Sequence, residues 1–125
     1  MTDFDVEITR KFLAEKRRKR QLKLDERFHQ AQQDFESIIK MIIVKYRPKT
    51  IHQWGSLLDR KGFSEISDID IAVSGLGSAE AFFSLCHDAE TLTNLPLDIV
   101  ELERIEPEFH GLITEHGRKV YEYSE

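Results

Sequence analysis

Two aspartates, Asp68 and Asp70, stand two positions apart in the run EISDIDIAVSG. On a strand, alternate side chains share a face, so both carboxylates point the same way. Like charges that close raise one another's pKa and oppose folding unless something compensates them. A divalent cation removes the conflict. Mg²⁺ prefers oxygen ligands, takes one or two carboxylates, and completes its shell with water and substrate phosphates. The intervening Ile69, Ile71 and Val73 fall on the opposite face, as a core-forming set should.

Two further features fit that chemistry. Upstream, WGSLL places Gly55 and Ser56 at the end of an expected strand. A glycine lets a phosphate approach the backbone closely. Ser56 offers a hydroxyl and an amide at an expected helix start, as its N-cap, where anions are favoured. Downstream, Asp98 sits among Leu97, Ile99 and Val100 in LPLDIVEL, an apolar setting that calls for a reason. Arg60 and Lys61 follow Gly55-Ser56 closely and are candidate cations for a triphosphate. The five histidines lack the spacing of a metal site. His52 and Trp54 read as packing residues, and the single cysteine, Cys86, as a helix-core thiol.

The elements that must hold these residues are legible in outline. Residues 5–46 contain no Gly or Pro and are rich in helix formers. In their second half, Phe28, Ala31, Phe35, Ile38, Ile39, Ile42 and Ile43 recur at three- and four-residue intervals, which predicts a helix packed on a core over 28–46. Residues 10–27 have sparse apolar positions and should project or dock on a partner. Pro48 disfavours helical geometry at Arg47 and ends the helix. Strands are expected at 50–54, 68–74, 95–102 and 119–123. Helices are expected at 56–60 (short), 78–93, with Ala81, Phe82, Leu85 and Ala89 inward, and 106–116. Strands alternating with helices imply an α/β (α+β) fold, a small mixed sheet with helices packed on it behind a long N-terminal helix. The division expected is a basic helical extension, 1–27, and one domain, 28–125.

Composition narrows the class. The chain has 125 residues and a formal charge of −5, which argues against bulk electrostatic binding of nucleic acid. The average hides an asymmetry. Residues 10–27 hold nine Lys/Arg against three Asp/Glu, a local +6, so the remainder carries −11. That stretch reads as a solvated helix, then as a docking surface for an acidic partner, and third as an RNA contact. One cysteine excludes an internal disulfide and a thiolate cluster. With no apolar run of membrane-spanning length and no secretory leader, a soluble protein of the cytoplasm is expected, without membrane contact.

Gly-Ser, a spacer of about ten residues, Asp-x-Asp, and a third Asp on a later strand form a pattern similar to that of the nucleotidyltransferase superfamily that includes DNA polymerase β. The chain resembles its minimal nucleotidyltransferases, the MNT domain, over roughly residues 33–123. KYRPKTIHQWGS, GFSEISDIDIAV, LPLDIVEL and LITEHGRKVYE carry the likeness. The resemblance implies that Asp68, Asp70 and Asp98 bind two Mg²⁺ ions and are catalytic. It implies that Gly55, Ser56, Arg60, Lys61 and Ser67 contact the nucleotide. Asp98 would help deprotonate an acceptor hydroxyl. It further implies ATP as substrate, AMP as the group moved, and a HEPN-domain toxin as acceptor and partner, with this chain as antitoxin. A homodimer and a hetero-oligomer are both open. One departure stands out. The family commonly has Arg directly after Gly-Ser, where this chain has Leu57 and Leu58. That difference motivates an alternative, a non-catalytic module that neutralises its partner by binding alone.

Overall fold

The longest element, α1 (Asp3–Tyr46), begins and ends for identifiable reasons. Thr2 caps it: its hydroxyl accepts from the Asp5 amide at 3.2 Å, and the Asp5 carboxylate accepts from the Thr2 amide at 3.3 Å. This reciprocal capping box satisfies amides that have no partner within the helix. At the other end Arg47 takes a left-handed conformation (φ 47°), returns its amide to the Ile42 carbonyl, and hands the chain to a buried Pro48. The expected stop is where the sequence put it, and the computed structural model, which describes residues 2–124, runs the helix unbroken to that point.

Only the second half of α1 packs. Ala31, Phe35, Ile38, Ile39 and Ile42 are buried, whereas every residue from Thr2 to Lys23 is exposed and Leu24 is the first to be half-buried. At 1.5 Å per residue, the exposed half extends roughly 30 Å.

The packed half lies on a four-stranded mixed sheet of β1 (Thr50–Trp54), β2 (Ile69–Ser74), β3 (Leu97–Glu101) and β4 (Arg118–Glu122), ordered β3-β2-β1-β4. β1 is antiparallel to both β2 and β4, and β2 and β3 are parallel. One sheet face buries Ile51, Ile69, Ile71 and Val73 against α1 and against Leu85 and Ala89 of α2 (Ala79–Glu90). The inward set expected for α2 is therefore graded: Leu85 and Ala89 are fully buried, Ala81 and Phe82 partly. The opposite face carries Ala72 and Val100 beneath α3 (Pro107–His116), whose Ile113 and Phe109 form a second, smaller core with Trp54. Helices thus cover both faces, and α3 covers the one that bears the aspartates.

Element ends moved by a residue or more. Ser78, expected as the first residue of a helix, is instead the N-cap of α2, accepting from the Ala81 amide at 3.1 Å. The expected helix over 56–60 is two 3₁₀ turns, Ser56–Leu58 and Arg60–Gly62. The cap of the first turn is Gly55, not Ser56. A three-residue turn also lacks the aligned dipole that a longer helix offers an anion.

Candidate active site

Three strands bring their ends together. β1 and β2 run antiparallel, so the last residue of β1, Trp54, stands opposite Asp70 near the start of β2. β3 runs parallel to β2 in a register that sets Asp98 beside Asp70. Side chains paired across neighbouring strands share a face, with backbones about 4.8 Å apart. Asp68 lies just before β2 rather than within it, half-buried at the end of the 64–67 turn. The strand expected over 68–74 begins one residue later, at Ile69, whose amide bonds the Pro96 carbonyl while Asp68 precedes the ladder.

Asp70 is the centre of this group. It is 8 % exposed. Burial, then the charges of Asp98 and Asp68, push its carboxyl up to about 7. Asp98 and, to a lesser extent, Asp68 thus act on Asp70, with burial the larger cause. Among the described residues, no group of three or more His, Cys, Asp or Glu side chains is placed to hold a metal ion.

Gly55 is tied to Asp70 directly. Its φ is +82°, and a Cβ at this position would collide with the Asp70 carboxylate. The positive φ by itself disfavours any other residue here, and the Asp70 carboxylate packed against it adds a steric reason. Beyond Gly55, the first 3₁₀ turn is closed by Leu58 N to Gly55 O and Asp59 N to Ser56 O. Leu57 points into the core and is 3 % exposed. Leu58 instead borders a cavity of about 330 Å³ that is also lined by Gly55, Trp54, Phe109, Leu112 and His116. Trp54 and Phe109 meet edge to face, ring centres 5.2 Å apart.

The remaining candidates divide. Ser67 Oγ accepts from the Ser64 amide at 2.8 Å and so closes the turn that leads into Asp68. Arg60 turns toward α1: its guanidinium bonds Asp25 (Nε to Oδ1 3.0 Å) and lies 5.6 Å from the Phe28 ring centre. Asp25 is held below the usual carboxylate range by that contact. Phe28 in turn packs edge to face on Phe63, 5.2 Å away. Lys61 is exposed, and its backbone amide bonds Asp59 Oδ1 at 3.0 Å.

One residue was missed. Arg27 of α1 donates to the Ser67 carbonyl at 3.3 Å, next to Asp68, and its Nε is buried without a hydrogen-bond partner. The sequence reading of 10–27 as a solvated helix does not hold for this residue. The signal was available in its position, four residues before the buried Ala31 and so on the edge of the same helical stripe.

The pattern of strands, glycine and aspartates has a counterpart among known families. Residues 36–125 match the family described as "Polymerase beta, Nucleotidyltransferase". The chain belongs to that family. The nucleotidyltransferase fold is also that of two solved structures of the MntA–HepT toxin–antitoxin. One shares 20% identity at a TM-score of 0.56, covering 74% of this chain and 73% of that chain. The other, a mutant form, shares 18% identity at a TM-score of 0.58, covering 72% of this chain and 74% of that one. No curated protein matches significantly. The family match begins within α1, so the exposed half of that helix lies outside the nucleotidyltransferase region. No helix among the described residues is long and apolar enough to cross a membrane.

Proposed function

We propose that this chain transfers a nucleoside monophosphate, AMP from ATP, to a hydroxyl group on a HEPN-type partner protein and thereby acts as its antitoxin. The observation that carries this reading is the register that sets Asp98 beside Asp70, with Gly55 packed on the Asp70 carboxylate. Two independent supports are the family match and the likeness to structures of a toxin–antitoxin pair.

The donor set fits Mg²⁺. Three carboxylates are hard oxygen ligands, and Asp70, kept half-protonated near neutrality by burial and its neighbours, would regain its charge beside a cation. Asp68, Asp70 and Asp98 would hold the ions, two by family resemblance. When bound, such ions neutralise triphosphate charge and orient an in-line displacement. The chain's own residues would do the rest. Gly55 and Ser56 would border the phosphates, with the Ser56 hydroxyl as a donor. Lys61 would supply the exposed positive charge, since Arg60 is engaged by Asp25. The cavity lined by Trp54, Phe109 and Leu112 would receive the base, and Ser67 and Arg27 would hold the loop that presents Asp68. Asp98 would draw the proton from the acceptor hydroxyl. The acceptor oxygen then bonds the α-phosphorus, the bond from that phosphorus to the bridging oxygen breaks, and pyrophosphate leaves. A cytosolic setting, where ATP and Mg²⁺ are abundant, suits this chemistry.

A second reading is favoured by a specific observation. Leu57 and Leu58 stand where the family commonly has a cation, and Arg60, slightly later, is paired with Asp25. On that reading the chain neutralises its partner by binding alone. Calorimetry with ATP and Mg²⁺, and partner neutralisation by Asp70→Asn, separate the two. The catalytic reading expects ATP binding below millimolar and loss of neutralisation in the variant. No heat at millimolar ATP, with a variant that neutralises at wild-type dose, establishes the binding module instead.

A further inference from the structure

The exposed half of α1 takes no part in the site, lies outside the family match, and touches none of the sheet. It nonetheless exposes large apolar side chains: Phe4 is 72% exposed, Phe12 65%, Ile8 50% and Leu22 49%. Most helical stability in proteins comes from packing an apolar face, and this half of α1 has none packed within the chain. We propose that this segment pairs with the same segment of a second copy of the chain, as an antiparallel two-helix contact.

The spacing specifies the seam. Phe4, Ile8, Lys11, Glu15, Arg18 and Leu22 follow one another at intervals of four, three, four, three and four, the spacing of a coiled-coil face, with apolar residues at its two ends and the charged Lys11, Glu15 and Arg18 in its middle. Run antiparallel, this seam is complementary to itself. Phe4 of one copy meets Leu22 of the other, Ile8 lies along the aliphatic stem of Arg18, and Lys11 faces Glu15. Each relation occurs twice by symmetry, as an isologous contact requires. On the flank, Phe12 meets Phe12 of the second copy at the two-fold axis, and Asp5 faces Lys19. The register also ends well: the tip of each helix stops opposite Lys23, where the second copy's packed body begins at Leu24.

Charge selects both the direction and the occupant. The segment is acidic at its tip, with Asp3, Asp5 and Glu7, and basic along KRRKR at 16–20. A parallel pair would set KRRKR beside KRRKR. An antiparallel pair sets it beside the acidic tip. Because one helix carries both halves of every pairing, a second copy completes it without a different protein.

Light scattering on the full chain tests the association, and engineered cysteines test its direction. On a Cys86→Ser background, Phe4→Cys mixed with Leu22→Cys should yield a disulfide-linked dimer on mild oxidation, while Phe4→Cys alone should not. The unmodified chain should weigh about twice its monomer mass at tens of micromolar. Phe12→Asp should be monomeric while keeping the near-ultraviolet signal of Trp54, which reports the folded body. A monomer mass throughout, including one that associates only when a different protein is added, overturns the proposal. So does efficient crosslinking of Phe4→Cys with itself, which would mean parallel pairing.

Discussion

At Asp70 the requirements of folding and of chemistry oppose each other. Its carboxyl is pushed up to about 7 by burial and by Asp98 and Asp68. The folded state therefore retains a proton that the unfolded chain releases near pH 4. Between those values the folded state binds more protons than the unfolded state, so this group makes metal-free stability fall as pH rises from about 4 to about 7, and the loss levels off above. Chemical denaturation across that range without metal should show the decline. Adding Mg²⁺ should raise the melting temperature more at pH 8 than at pH 5. Asp70→Asn should stabilise the metal-free protein at pH 8 by removing the buried charge, while abolishing nucleotide transfer. Gly55→Ala combines a left-handed backbone with a collision against Asp70, and should lower stability by about 1–3 kcal/mol in denaturant titration. This residue-scale picture was only half legible. The spacing of Asp68 and Asp70 gave the electrostatic conflict at once. That Gly55 packs on Asp70 was not, since the sequence does not say which side chain faces a turn until β1 and β2 are paired.

At the scale of elements, the loop after β1 is anchored by α1. Arg60 binds Asp25 and lies over Phe28, and Phe28 packs on Phe63. Arg60→Ala should therefore loosen the 60–63 segment with a stability cost under about 1 kcal/mol, as exposed ion pairs contribute little. It should leave ATP affinity nearly unchanged, whereas Lys61→Ala should weaken it; calorimetry on both variants checks the contrast. The strands, the α1 stop at Arg47 and the inward stripe of 28–46 were readable because apolar periodicity and Pro48 act locally. The fate of Arg60 was not. Its choice between a phosphate and Asp25 depends on a contact across 35 residues, which no local pattern encodes. Arg27 was misjudged for the related reason that a charge run hides one member facing inward.

The whole molecule joins a packed nucleotidyltransferase body to a helix half that the body does not use. Removal of residues 2–23 should leave thermal unfolding within a few degrees of the full chain, because none of those side chains is buried. Calorimetric scans of both forms measure it. The charge asymmetry, +6 over 10–27 in a chain of −5, was visible from composition alone. What the basic segment faces was not, because a solvated helix and a paired one share one composition. Asp98 stands beside Asp70, and the activity proposed for that pair with Asp68 is a nucleotidyl rather than a phosphoryl transfer. The direct measurement incubates the chain, Mg²⁺ and a HEPN partner with ATP labelled at the α- or the γ-phosphate. The partner should gain the α-label and not the γ-label, and Asp70→Asn should transfer neither. Transfer of the γ-label, or equal α-labelling by Asp70→Asn, would contradict it.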